Sequence, residues 1–120
     1  MNEPTPRPEL SRFLNGLALG HFANAVLTGL AGAGVALHPH FRQSERLEVL
    51  GAFLALTCVL LALADGWTGL CLRRRQARGF CMVVAAINCL CLPGVLVGLP
   101  TLAALSRPGV ASLFTRAGEP

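Results

Sequence analysis

The sequence predicts an all-α fold, an integral membrane bundle of three transmembrane helices, and two observations predict it. Hydrophobic residues make up 53% of the 120 residues and charged residues only 13%, against about 25% charged in an ordinary soluble domain. The charges are also segregated. No Asp, Glu, Lys or Arg stands between Arg12 and Arg42 or between Arg78 and Arg107, and only Asp65 stands between Glu48 and Arg73. A small soluble domain has much surface for its volume and needs charge spread over it. Long neutral runs bounded by charge indicate a lipid solvent instead.

Residues 1–12 hold three prolines and four charges, a composition that disfavours a helix interior and reads as a disordered tail. The first span covers 13–37. Its 25 residues reach ~38 Å as a helix, more than the ~30 Å of a hydrocarbon core. A cleaved signal peptide is the rival reading, but a signal core has ~7–15 apolar residues, and Asn15, His21 and Asn24 interrupt this one. A polar loop, 38–46, leads to the second span at 47–72. Trp67 belongs at the interface, where its ring is buried and its N–H is wet. Asp65 is placed there with it, partly neutralised by Arg73, Arg74 and Arg75.

Residues 73–78 (RRRQAR) form a tight turn into the third span, 79–105. This run contains Pro93-Gly94 and Pro100. Halves of about 11–14 residues are too short to cross ~30 Å, so the expectation is one long helix kinked by proline. Pro93 then frees the carbonyl of Cys89, and Pro100 that of Leu96. In the tail, 106–120, Val110, Leu113 and Phe114 recur at helical spacing, as in an interfacial segment, interfacial or flexible as a whole.

Every basic residue is Arg. At the ends of apolar spans these charges set orientation rather than bind nucleic acid. Three spans put Arg7, Arg12, Arg73, Arg74, Arg75 and Arg78 on one side and Arg42, Arg46, Arg107 and Arg116 on the other. The compact cluster Arg73, Arg74, Arg75 and Arg78 resists translocation, so the amino terminus is expected in the cytoplasm and the carboxyl terminus outside. Arg without Lys, with abundant Ala, Gly and Leu, suggests a bacterial source and hence the inner membrane.

Several intramembrane groups are candidates for function. His21, Asn24 and Thr28 follow i, i+3, i+7 spacing and share a helix face. Helix packing through interhelical hydrogen bonds is the plainer reading, a proton or ion relay through His21 the sharper one. Asp65 is the one acid deep in an apolar run, and Asn88 is polar within the third span. Gly16 and Gly20, and again Gly94 and Gly98, are small-xxx-small pairs suited to close helix approach. The second pair follows Pro93 and precedes Pro100. Five cysteines, at 58, 71, 81, 89 and 91, include no CxxC. They read as small apolar residues, although Cys71 and Cys81 flank the basic turn, where a lipid modification or a redox pair is conceivable. His38 and His40 are too few for a metal site. No cofactor, metal or catalytic set is expected, and the serines lie in tails and loops, away from any base.

The basic turn, the run Phe80-Cys81-Met82-Val83-Val84-Ala85-Ala86, the Pro/Gly kink and the tail Leu105-Ser106-Arg107-Pro108-Gly109-Val110 ending in Leu113-Phe114 together resemble a group of small uncharacterised bacterial multi-pass membrane proteins. That group has a P-x-G-T-x-x-x-G kink followed by an L-x-R-P-x-V-x-x-L-F tail. Here the kink reads Leu92-Pro93-Gly94-Val95-Leu96-Val97-Gly98, with Val95 in place of the group's threonine, so no role of that threonine carries over. The resemblance implies a helical membrane protein and no particular activity.

The function expected is therefore that of a non-enzymatic membrane protein in the lipid bilayer, acting by helix–helix association with itself or a larger membrane partner. The alternative is an oligomeric small transporter or channel that uses His21 and Asp65 in a proton or ion path.

Overall fold

A computed structural model describes residues 8–117, with side chains to Thr115. The tail at 1–7, Arg7, the side chain of Arg116 and residues 118–120 lie outside the described residues. Five α-helices follow in order: α1 (Pro8–Leu37), α2 (Glu45–Arg74), α3 (Arg78–Asn88), α4 (Leu92–Leu105) and α5 (Pro108–Ala117), with a 3-10 turn at Pro39–Arg42. The described residues contain no strand. The first helix starts earlier than expected, at Pro8, because a proline in the first helical turn gives up an N–H that has no intrahelical partner anyway.

Helices α1 and α2 have 30 residues each and are long and apolar enough to cross a membrane. They form an antiparallel pair. Ser44 caps α2 by accepting the Leu47 N–H, and Glu45 and Glu48 at its start and Arg73 and Arg74 at its end complement the helix dipole. The pair comes close through small residues: a Cβ at Gly32 would sit 2.8 Å from the Cβ of Cys58, and one at Gly69 would sit 3.1 Å from the Ala18 carbonyl oxygen. These two glycines make the contact expected of Gly16 and Gly20. Gly16 faces open space, and Gly20 meets Val97 at ordinary van der Waals distance.

The expectation of a single kinked helix over 79–105 is corrected. The chain reverses at Cys89–Cys91, and α3 and α4 pack antiparallel as a helical hairpin. Three contacts establish the reversal. Gly94 lies against the Asn88 carbonyl and Gly98 against that of Ala85, while the Arg78 guanidinium donates to the Leu105 carbonyl from Nε (3.0 Å) and Nη2 (2.6 Å). The physical reason is again proline placement. Pro93 sits in the first turn of α4, where it costs no hydrogen bond, so a fresh helix start is favoured over a kinked continuation. Pro100 does lie inside α4. A third membrane crossing would need α4 and α5 taken together, and these are bent by 82°.

The start of α1, the end of α2, the start of α3 and the end of α4 thus meet at one end of the bundle. There Leu14, Leu17, Ala18, Cys71, Leu72, Cys81, Ala104 and Leu105 form a buried plug, onto which α5 lays Val110 and Phe114. Cys71 and Cys81 are buried free thiols within it. Arg75 and Ala77 take left-handed φ of 55° and 50° to tighten the turn, and Arg75 also donates to the Ser11 hydroxyl.

The hairpin depends on backbone contact, so bulk at its glycines is expected to open it. A Cβ at Gly94 or Gly98 would come within 2.5 Å of a carbonyl oxygen. Gly98→Ala is expected to cost about 1–3 kcal/mol by overpacking, whereas Gly16→Ala, which meets nothing within 4 Å, should be neutral or slightly stabilising. Reversible unfolding in mixed micelles measures both.

Candidate functional site

Asp65 lies nine residues before Arg74 and His21 nine after Arg12, about 14 Å along their helices. The antiparallel pairing of α1 and α2 brings the two side chains level, and the hairpin closes over them from the third side. Asp65 and His21 are fully buried and Asn24 and Asn88 almost so. Trp67 points outward, while Asp65 points into the bundle, as their ~200° separation on the helix requires. The expected partners are corrected: Arg73, Arg74 and Arg75 do not neutralise Asp65, whose partners are His21, Asn24 and Asn88.

The carboxylate gathers three donors. His21 Nδ1 lies 2.8 Å from Oδ1, Asn88 Nδ2 donates to the same oxygen, and Asn24 Nδ2 donates to Oδ2 at 2.6 Å. On the far side of the ring, His21 Nε2 is 3.1 Å from Thr101 Oγ1. The Thr101 hydroxyl is also 2.7 Å from the Val97 carbonyl, so both ring nitrogens of His21 have a polar partner. Among the described residues no buried polar side-chain atom is left without a partner. This satisfaction is what makes the burial tolerable, because an unpaired charge there would carry a desolvation cost of several kcal/mol.

Of the residues singled out in the sequence, His21, Asn24, Asp65 and Asn88 come together. Thr28 stands apart from the hydrogen bonds, on the wall of a pocket of about 230 Å³ beyond the hairpin tip that Asn24 and Asn88 also line. Thr101 was not foreseen. It lies 80 residues from His21 in sequence, and only the hairpin brings it in. The sequence signals only the reversal, since Asn88 and Thr101 flank the Pro93-Gly94 break and a Pro-Gly dipeptide is a turn signal. His38 accepts from the His40 N–H and thereby caps the 3-10 turn. Among the described residues no group of three or more His, Cys, Asp or Glu is placed to hold a metal ion.

No family model matches the chain, and neither a curated protein nor a solved structure resembles it.

Removing one partner of the pair is expected to cost more than removing both. His21→Leu leaves Asp65 buried opposite an apolar side chain and should destabilise by about 3–5 kcal/mol. The double replacement His21→Leu with Asp65→Leu should recover a large part of that loss. A double-mutant cycle of unfolding in mixed micelles reads the coupling, and additive costs would contradict it.

Proposed function

We propose that this chain is a small non-enzymatic integral membrane protein, with two full spans and a re-entrant helical hairpin, that acts by helix–helix association within the bilayer. The observation that carries the reading is the contrast between inside and outside. The buried side chains of His21, Asn24 and Asn88, with Thr101 behind His21, converge on Asp65, while the outward faces of both long helices are largely apolar surface, including Leu19, Val26, Leu30, Phe53 and Leu63. Such a surface in water would be an aggregation liability; in a bilayer it meets lipid or another helix. In this reading the Asp65 cluster is a clasp that fixes the hairpin in one register on α1 and α2, a use of buried polar groups with precedent in helical assemblies. Crosslinking in native membranes tests it. Discrete oligomers or a co-purifying membrane protein are expected, and monomer alone would sink the reading.

The hairpin also changes the expected orientation. If the third segment returns to its own side, Arg107 joins Arg12, Arg73, Arg74, Arg75 and Arg78, against Arg42 and Arg46 at the other end. A six-to-two bias among described residues replaces the slim one of a three-span reading, and the positive-inside tendency then favours both termini in the cytoplasm of a bacterial inner membrane. The carboxyl terminus expected outside is accordingly proposed inside. Carboxyl-terminal fusions are expected to light a cytoplasmic reporter and not one active only across the membrane.

A second reading is favoured by the buried pair itself. Ionisable side chains inside a membrane frequently serve proton or ion paths, and His21 and Asp65 lie 2.8 Å apart in the bundle interior. An oligomeric carrier built on this pair should lose proton flux in proteoliposomes with Asp65→Asn. Unchanged flux with both that variant and His21→Ala would eliminate it.

A further inference from the structure

The Asp65 carboxylate has a consequence for its neighbours. Because it only accepts, the side-chain amides of Asn24 and Asn88 must turn their N–H groups toward it, and their oxygens are forced to face the other way. Neither oxygen accepts a hydrogen bond within the described residues, yet neither is among buried unpartnered atoms. Both residues are only 4% exposed, and both line the pocket beyond the hairpin tip. Two side chains more than nine-tenths buried, whose amide N–H groups turn to Asp65 and whose oxygens have no acceptor bond among the described residues, therefore share the lining of one small space.

Beside the Thr28 hydroxyl, the rest of that space is largely apolar: Leu27, Ala31, Leu61 and Pro93 form its walls, and its volume is about 230 Å³. A sealed apolar cavity of ~150 Å³ holds benzene; this space is larger but open on one side, so it takes a molecule of about fused-bicyclic size with part of its surface left to the hydrocarbon. The two oxygens accept and do not donate. An apolar occupant lacking a donor would leave them desolvated and unpaired, at a cost comparable to a lost hydrogen bond.

We propose that this pocket is a binding site for a lipid-soluble molecule of about bicyclic size that carries one N–H or O–H donor, held by the Asn24 and Asn88 amide oxygens and reaching the site through the hydrocarbon. The amides owe their orientation to Asp65, so the ion-pair cluster acts as the positioning element of the site and does not itself touch the ligand. The assignment is independent of whether the chain works by association or by carrying protons.

Indole, its donor-free analogue 1-methylindole, and naphthalene are the probes. Binding to the full chain in lipid nanodiscs is read by saturation-transfer NMR, with empty nanodiscs giving the partitioning background. Saturable indole binding is expected, with 1-methylindole and naphthalene weaker by roughly tenfold or more, the size of one hydrogen bond left unmade. Leu61→Trp fills the pocket without altering the Asp65 contacts and should abolish the saturable component. Asn88→Leu should erase the preference for indole, and where that variant fails to fold, Leu61→Trp and the indole to 1-methylindole ratio on the wild-type chain decide the matter. Equal affinity for the three probes would overturn the proposal by showing an apolar crevice without recognition. So would signal that rises linearly and matches empty nanodiscs, or saturable binding that persists in Leu61→Trp.

Discussion

The constraint on which the rest of this structure depends is the burial of one carboxylate. Asp65 sits inside a bundle whose outer surface is apolar on all sides, so the hydrogen bonds that water would supply must come from the chain. One helix cannot supply them, because neighbours of Asp65 on α2 spend their backbone N–H groups on the helix itself. The donors come instead from His21 and Asn24 on α1 and Asn88 on α3, with Thr101 on α4 completing the imidazole. Four helices thereby share one electrostatic centre. Moving any of them along its axis by a turn would strand the carboxylate, so the cluster fixes register as well as proximity.

Small residues and arginines do the complementary work. Gly32 and Gly69 let α1 and α2 approach until backbone atoms touch side chains across the gap, and Gly94 and Gly98 do the same within the hairpin. Close approach shortens the span over which the polar side chains must reach. At the basic end, Arg75 on Ser11 and Arg78 on the Leu105 carbonyl tie the helix ends together, and Arg78 accepts the role of a C-terminal cap by satisfying a carbonyl at the last turn of α4. The apolar plug beneath them shields the cluster from that side, while the pocket beyond the hairpin tip leaves only Asn24 and Asn88 near the other.

Much of the fold was legible in the sequence because its charges are segregated from its apolar runs. Charge-free runs marked α1 and α2 to within a few residues, the polar loop and the basic turn fell where expected, and Val110, Leu113 and Phe114 marked α5. The hairpin was misread for a physical reason. Its halves are too short to cross a bilayer, and shortness was taken as grounds for joining them. Short Pro/Gly-interrupted halves are equally the pattern of a segment that enters and leaves by the same face. Pro93, at a helix start where its missing N–H is harmless, pointed that way. Within the site, His21 and Asn24 share one helix face in the sequence, but the partners of Asp65 come from other helices, and no local spacing shows them. Thr101 could be found only once the reversal was known, since nothing in a single sequence links it to His21.

The central claim is that Asp65 is a dry carboxylate clasped by an amide from the hairpin. Solid-state NMR of the full chain in bilayers, with selective labels on Asp65 Cγ and the Asn88 side-chain nitrogen, measures it directly. A strong dipolar coupling between the two nuclei, with the carboxyl carbon out of contact with water protons, is the result this structure requires. Absence of that coupling together with a hydrated carboxylate would contradict it, and with it the hairpin's seat on the two long helices.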